Sequence, residues 1–152
     1  MSMDKYLYLF PEETRFSHCI MARFHAFRLL PGQDLKNEIE AFVRKEQIRA
    51  GWVASGVGSL TDYHIRFANC KDGEHGKGYF EILSLSGTVS VSGVHLHLSI
   101  GDQKGHVTGG HLLTGNLVYT TCEIILAEIE NLEFTREKDG TTSWPELQIK
   151  SR

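Results

Sequence analysis

The protein is a chain of 152 residues, of which 41% are hydrophobic and 23% are charged. A chain of this length buries a sufficient core without disulfides or a structural metal, so we predict one globular domain over residues 1–152. The sequence has no apolar run of membrane-spanning length and does not open with a basic and then apolar secretory signal. These absences predict a cytoplasmic protein that does not span a membrane.

Charge and cysteine content restrict the classes of partner and compartment. The formal net charge is −3 with neutral histidines, whereas DNA-binding domains usually carry a basic excess that neutralises phosphates. Duplex DNA is therefore a disfavoured partner for this chain alone. The three cysteines, Cys19, Cys70 and Cys122, form no CxxC pair, which favours reduced thiols in an intracellular protein. Cys122 lies in an apolar stretch and is expected to be a buried packing residue.

The first predicted elements are a strand and an amphipathic helix. Residues 21–30 (MARFHAFRLL) have the pattern of a strand that ends at Pro31-Gly32. Asp34 has the side chain of a helix N-cap, and apolar residues then recur at helical spacing from Leu35 to Glu46. Because these apolar residues form one stripe, we expect the helix to cover one face of a sheet.

The rest of the chain alternates or runs apolar in the manner of strands, up to residue 134. Polar, glycine-rich residues 70–78 predict a loop, and SGVGSL at residues 55–60 predicts a turn. One main helix among many antiparallel strands predicts an α+β domain with a core at about residues 21–134. The segment 1–20 and the tail 138–152 are expected to be peripheral. Since one helix covers few strands, part of the sheet is expected to pack against another subunit.

Three histidines are the strongest chemical feature of the sequence. If GVHLHLSI (residues 93–100) is a strand, His95 and His97 point to one face and the aliphatic residues point to the other. His111 follows after a turn. Three neutral imidazoles suit zinc, and also copper, nickel or iron(II), and three protein ligands leave one coordination position open. The simpler interpretation is that these are polar side chains on a solvated sheet face.

Whether His111 joins the other two depends on the turn between the strands. A hairpin centred on Gln103 places His111 directly across from His95, and one centred on Lys104 places it across from His97. An even-numbered loop turns His111 to the opposite face, unless a bulge at the glycine pair before it restores the parity. The spacing alone does not choose between these alternatives.

A catalytic role for such a site also requires a carboxylate. Glu123 and Glu81 are the candidates, because both are embedded in apolar strands (TCEII and YFEIL). Either could orient a histidine or act as a general base. The simpler interpretation is that each faces solvent or another subunit. Asp102 is more simply explained as a turn residue.

Three segments give the chain a likeness to a known family. The combination of YFEILSLSG, HLHLSIGDQKGHVTGGHL and TTCEI resembles the PPC domain family, named for "plant and prokaryote conserved". The likeness covers about residues 21–134. It implies an α+β fold, a mostly antiparallel sheet with a helix packed on it, and assembly as a homotrimer. It also implies that a metal site of bacterial-type members is formed here by His95, His97 and His111.

The chain departs from the family's plant members in two ways. Those members carry an AT-hook, a short Arg-Gly-Arg-Pro-type segment that enters the DNA minor groove, and this sequence contains none. Plant members also commonly have arginine before FEIL, where this chain has Tyr79. The missing AT-hook argues against the family's label of DNA binding, and Tyr79 argues against a plant-type partner interaction.

Three functional hypotheses follow. The first is a homotrimer with a divalent metal, zinc before others, that binds a small molecule, an anion or a protein partner. The second is a metal-dependent hydrolase or lyase using metal-bound water, with Glu123 as the helper. The third is a DNA-binding regulatory protein, as the family label suggests.

Overall fold

The computed structural model describes residues 21–152 of the chain. In this range the chain forms eight strands and one helix. Their order is β1 (Ala22–Leu29), α1 (Leu35–Lys45), β2 (Gly51–Arg66), β3 (Glu74–Ser90), β4 (Gly93–Asp102), β5 (Val107–Leu112), β6 (Leu117–Ile129), β7 (Leu132–Glu137) and β8 (Glu146–Ser151).

The main sheet contains six antiparallel strands in the order β1-β6-β2-β3-β4-β5. The far end of β2 also pairs with β5, through Ile65 opposite Leu112 and Arg66 opposite His111. Strands β2 to β5 therefore close on themselves at one end of the sheet. This closure brings residues that are distant in sequence next to the histidine hairpin.

Helix α1 covers one face of this sheet. The Asp34 side chain accepts a hydrogen bond from Asn37 N at 2.9 Å, as an N-cap residue does. Leu35, Ile39 and Val43 form the buried stripe and join the main hydrophobic core. The predicted cap, the predicted stripe and the α+β class are thus confirmed, and the helix ends one residue before the predicted limit.

A second, two-stranded sheet is formed by β7 and β8. Leu132 and Phe134 pack with Ala50 in a separate buried cluster, and Leu147 and Ile149 of β8 lie against it. The tail 138–152 was expected to be peripheral. It contains an edge strand, and this strand and the loop before it form one wall of the site described below.

Two predicted irregular segments are strands instead. Residues 55–60 continue β2 without a turn, with register shifts against β6. Gly58 allows this course, because a Cβ there would lie 2.3 Å from the carbonyl oxygen of Thr121. The predicted loop at 70–78 is also too long, since β3 already begins at Glu74 and pairs with β2. Polar composition indicated a loop, but pairing with a long neighbouring strand overrides that preference.

Within residues 21–152, no helix is long and apolar enough to cross a membrane.

Candidate metal centre

The three histidines lie on two adjacent strands at the closed end of the sheet. His97 of β4 is directly opposite His111 of β5, which is the register of a hairpin centred on Lys104. The strands pair without a register shift, so the glycine pair before His111 makes no bulge. The glycines instead permit close approach: a Cβ at Gly110 would lie 2.5 Å from the carbonyl oxygen of Arg66.

The turn that sets this register is organised by Asp102. Its carboxylate accepts hydrogen bonds from the backbone N–H groups of Lys104 and His106, both at 2.8 Å. The predicted role of Asp102 as a turn residue is confirmed. His106 is exposed beside the turn and is paired with Asp102 rather than with the other histidines.

Alternation along β4 separates the imidazoles from the core. Leu96 and Leu98 are 1% exposed and belong to the main core, whereas His95 and His97 are exposed on the other face. The burial of the leucines anchors the strand. The two imidazoles are therefore held in fixed positions on its outer face.

The imidazole nitrogens converge. One ligand atom from each of His95, His97 and His111 lies within 4.8 Å of the others. The Nε2 atoms of His95 and His97 are 3.3 Å apart. Two nitrogens bound tetrahedrally to zinc at about 2.0–2.1 Å are separated by about 3.3–3.4 Å. The spacing therefore fits a shared metal ion, and the buried Nδ1 of His111 has no hydrogen-bond partner within the described part of the chain.

The electrostatic environment favours neutral imidazoles. Burial, followed by the positive charges of His95 and Arg66, lowers the pKa of His111 to about 4. Burial also lowers the pKa of His95, and the charge of Arg136 acts in the same direction. Metal ligation requires the neutral form of histidine. Near neutral pH these two imidazoles are therefore available as neutral donors.

A cavity of about 390 Å³ adjoins the cluster, between the outer face of the main sheet and the loop that leads into β8. His95 and His111 contribute to its lining, together with Arg66, Arg136, Trp144 and Glu146. Arg66 reaches it because it is the cross-strand neighbour of His111. Arg136 extends from β7 and donates a hydrogen bond to Thr88 Oγ1 at 2.8 Å. Burial lowers the pKa of the Arg136 guanidinium.

Sequence reasoning missed these four additional residues. Arg66 was seen only as a polar position in an alternating strand, and Trp144 and Glu146 lie in the tail. The pairing of β2 with β5 and the folding of β7–β8 against the sheet bring them together. Neither event leaves a local signal in the sequence.

The two carboxylates proposed from sequence lie elsewhere. Glu123 is exposed on β6, across from Arg28 and Val57, and lines neither of the two cavities that His95 lines. Glu81 is exposed on β3 and lines a different cavity with Asp102. The carboxylate next to the histidines is Glu146, which lines both cavities beside His95.

The fold and the cluster define an α+β protein with three converging histidines on the outer face of its sheet. The sequence profile of the Plants and Prokaryotes Conserved (PCC) domain matches residues 18–130. The chain belongs to this family, which confirms the resemblance noted from the sequence.

Solved structures agree with this assignment. A hypothetical protein from Salmonella is 41% identical, with a TM-score of 0.86 over 89% of this chain and 98% of that one. A metal-containing protein from Archaeoglobus fulgidus is 28% identical, with a TM-score of 0.67 over 82% of this chain and 92% of that one.

A curated relative is much longer than this chain. The bifunctional protein GlmU of a Synechococcus strain is 46% identical over 127 residues, which are 84% of this chain and 20% of that protein. The chain thus spans about a fifth of the curated relative that it matches.

Proposed function

We propose that this protein is a homotrimeric PCC-domain protein that holds a divalent metal ion, with zinc as the first candidate, and binds a small ligand or protein partner there. His95, His97 and His111 would be the metal ligands. The observation that carries the proposal is the convergence of their three ligand atoms within 4.8 Å. The name of the related Archaeoglobus fulgidus protein, which describes it as metal-containing, supports the same reading.

The donor set is chemically suited to this role. All three donors are imidazoles, which bind zinc, copper, nickel and iron(II) well. A divalent ion bound by three protein ligands retains an open coordination position and acts as a Lewis acid toward whatever occupies it. The cavity of about 390 Å³ beside His95 and His111 offers room for such a ligand. A binding role also agrees with the similarity of this chain to one fifth of the longer GlmU protein. A separate domain of that size can add a binding site to a larger protein.

Metal content of the purified protein tests the proposal. We expect about one metal per chain by elemental mass spectrometry on untagged protein, and little or none in His97→Ala or in the His95→Ala/His97→Ala double variant. Loss of one ligand should weaken zinc binding by more than the roughly 10- to 100-fold typical of losing an outer hydrogen-bond partner.

His106→Ala is the matched control, because His106 is an exposed histidine at the end of the same hairpin. It should retain the wild-type metal content. Wild-type protein with well under one metal per chain, together with unchanged metal uptake by His97→Ala, would refute the proposal.

A metal-dependent hydrolase or lyase is the second candidate, and the position of Glu146 favours it. This carboxylate lines both cavities beside His95, where a general base would need to be. In that case Glu146, rather than the predicted Glu123, would act as the general base toward metal-bound water. Turnover that requires the metal and disappears in Glu146→Gln would identify an enzyme. A binding protein would show none.

DNA binding is the third candidate and stays a prediction. The net charge of −3 gives no general attraction to phosphates. A gel shift with duplex DNA at low salt that weakens steeply as salt rises would support it, and the absence of any shift would remove it.

A further inference from the structure

We propose that the cavity beside the histidine cluster binds a small monocarboxylic acid, whose carboxylate is held by Arg66 and Arg136. The inference rests on the proposed function, because it names the class of ligand that would occupy the site. It is carried by two half-buried guanidinium groups that line one cavity and that form no ion pair within residues 21–152.

Arg66 is placed at the cavity by strand pairing. It is the direct cross-strand neighbour of His111. Its guanidinium carbon lies 5.7 Å from the centre of the Trp144 ring, in a cation–π arrangement. Among the described residues, its guanidinium makes one hydrogen bond, a long contact of 3.4 Å to the carbonyl oxygen of Cys70. Most of its five N–H donors thus remain available to a ligand.

Arg136 approaches the same cavity from β7. One of its nitrogens donates to Thr88 Oγ1 at 2.8 Å, which fixes the orientation of the guanidinium. Among residues 21–152, neither Arg136 nor Arg66 has a carboxylate oxygen within 4.0 Å. The negative charge of Glu146 acts on Arg136 from the same cavity, raising its pKa against the larger lowering by burial, but it forms no ion pair with either arginine, so one anionic ligand would complete the neutralisation of the two guanidinium groups. The planar fork of arginine matches a carboxylate or a phosphate.

The remaining lining distinguishes between anions. Val94, Leu113, Trp144 and Pro145 supply an apolar wall, which suits the hydrocarbon body of an acid. Glu146 lines the same cavity and would repel a second negative charge. The volume of about 390 Å³ is near the small end of ligand sites. A compact acid with one negative charge therefore fits better than inorganic phosphate or a dicarboxylate.

Calorimetric titration of the zinc-loaded protein with benzoate tests the inference, with inorganic phosphate as the comparison anion. We expect benzoate to bind more tightly than phosphate. Arg136→Gln and Arg66→Gln should each weaken benzoate binding at least tenfold. Arg44→Gln is the matched control, because Arg44 is an exposed arginine on α1 that pairs with Glu40. It should bind benzoate like the wild type.

Arg66→Lys keeps the positive charge but loses the fork, and should show an intermediate affinity. This conservative variant keeps the test decisive if a glutamine variant fails to fold. Benzoate affinities within twofold of wild type in all the Arg66 and Arg136 variants that fold would overturn the inference. So would the absence of benzoate binding, or tighter binding of phosphate.

Metal content measured on the same samples separates the two proposals. Arginine-dependent benzoate binding by a wild-type protein that takes up no metal would refute the metal site and support the anion site. One metal per chain without benzoate binding would refute the anion site alone.

Discussion

Gly87 of β3 controls how closely the strand that carries His95 can approach. Its φ is +137°, and a Cβ at this position would lie 1.9 Å from the carbonyl oxygen of His95. The strand pairing at this point, with Gly87 opposite Leu96, is therefore possible only for glycine. The close pairing of β3 with β4 at Gly87 also fixes the backbone position of His95 and His97.

Gly87→Ala should destabilise the metal-free protein by about 2–3 kcal/mol, because backbone strain and a backbone collision act together. The free energy of unfolding from urea titration measures this loss. Gly32→Ala is the control, since Gly32 has a φ of +81° but no atom within 4 Å of an added Cβ. It should cost only about 1–2 kcal/mol, the strain of a left-handed residue. Equal losses in the two variants would show that the backbone moves to avoid the contact between the added Cβ and the carbonyl oxygen of His95. That result would contradict the role given to Gly87.

At the residue scale, the sequence was enough to predict on which face of the strand the histidines lie. It was not enough to predict which residues surround them in space. Alternation in β4 determines which side chains leave the core, because the leucines between the imidazoles must be buried. The choice between His95 and His97 as the partner of His111 depended on the turn, which Asp102 organises through its own hydrogen bonds. The approach of Arg66 and Arg136 follows from long-range pairing, which has no periodic signal.

At the scale of elements, Asn116 joins the start of α1 to the turn between β5 and β6. It is fully buried. Its amide accepts from His64 N at 3.0 Å and donates to the carbonyl oxygens of His64 at 3.1 Å and Leu113 at 2.6 Å. Its own N–H donates to the capping Asp34. The Asn116 side chain thus bonds backbone groups near two strand ends, and its backbone N–H connects the same turn to the helix cap.

Asn116→Ala should lower the free energy of unfolding by about 2–4 kcal/mol, because it removes the bonds from the buried Asn116 side chain to His64 N–H and to the carbonyl oxygen of Leu113, whereas the carbonyl oxygen of His64 keeps its bond from Leu113 N–H. Thermal and urea unfolding measure the loss. Asn37→Ala is the matched control, since Asn37 is exposed and its side chain accepts only a bond of 3.3 Å from Thr114. It should change stability by less than about 0.5 kcal/mol. A similar effect of both substitutions would contradict the role given to Asn116.

Helices and strands with a strong hydrophobic periodicity were predicted well. Strands that form only because they pair with a neighbouring strand were not. Strand β6 coincides with the apolar run LVYTTCEIILAEI, and the helix follows its predicted stripe and cap. By contrast, residues 74–78 and 55–60 are polar or glycine-rich and become strands only because a neighbour supplies hydrogen bonds. Strand β8 likewise depends on β7 for its register. Pairing is a property of two segments, so one segment does not reveal it.

At the scale of the whole molecule, the sheet face opposite α1 exposes large apolar side chains. Phe24 is 65% exposed, Val57 54% and Ile125 40%. Strand pairing puts Ile125 and Glu123 on one face of β6, whereas Cys122 and Ile124 face the core. An apolar face of this kind usually marks an interface. This distribution agrees with the expectation that part of the sheet packs against another subunit, and it offers Glu123 a place in such an interface.

The family resemblance implies a homotrimer, so we expect light scattering to give three times the chain mass of 17.1 kDa for the wild type. If the apolar face is the interface, Ile125→Asp should give a lower mass. The aspartate would place a charge in an apolar contact, where burial without a partner is strongly unfavourable. Ala41→Asp adds the same charge on the exposed side of α1 and should leave the mass unchanged. If Ile125→Asp remains a trimer, the subunits meet elsewhere. If the wild type is a monomer, the predicted homotrimer is wrong, and the apolar face is available to a different partner.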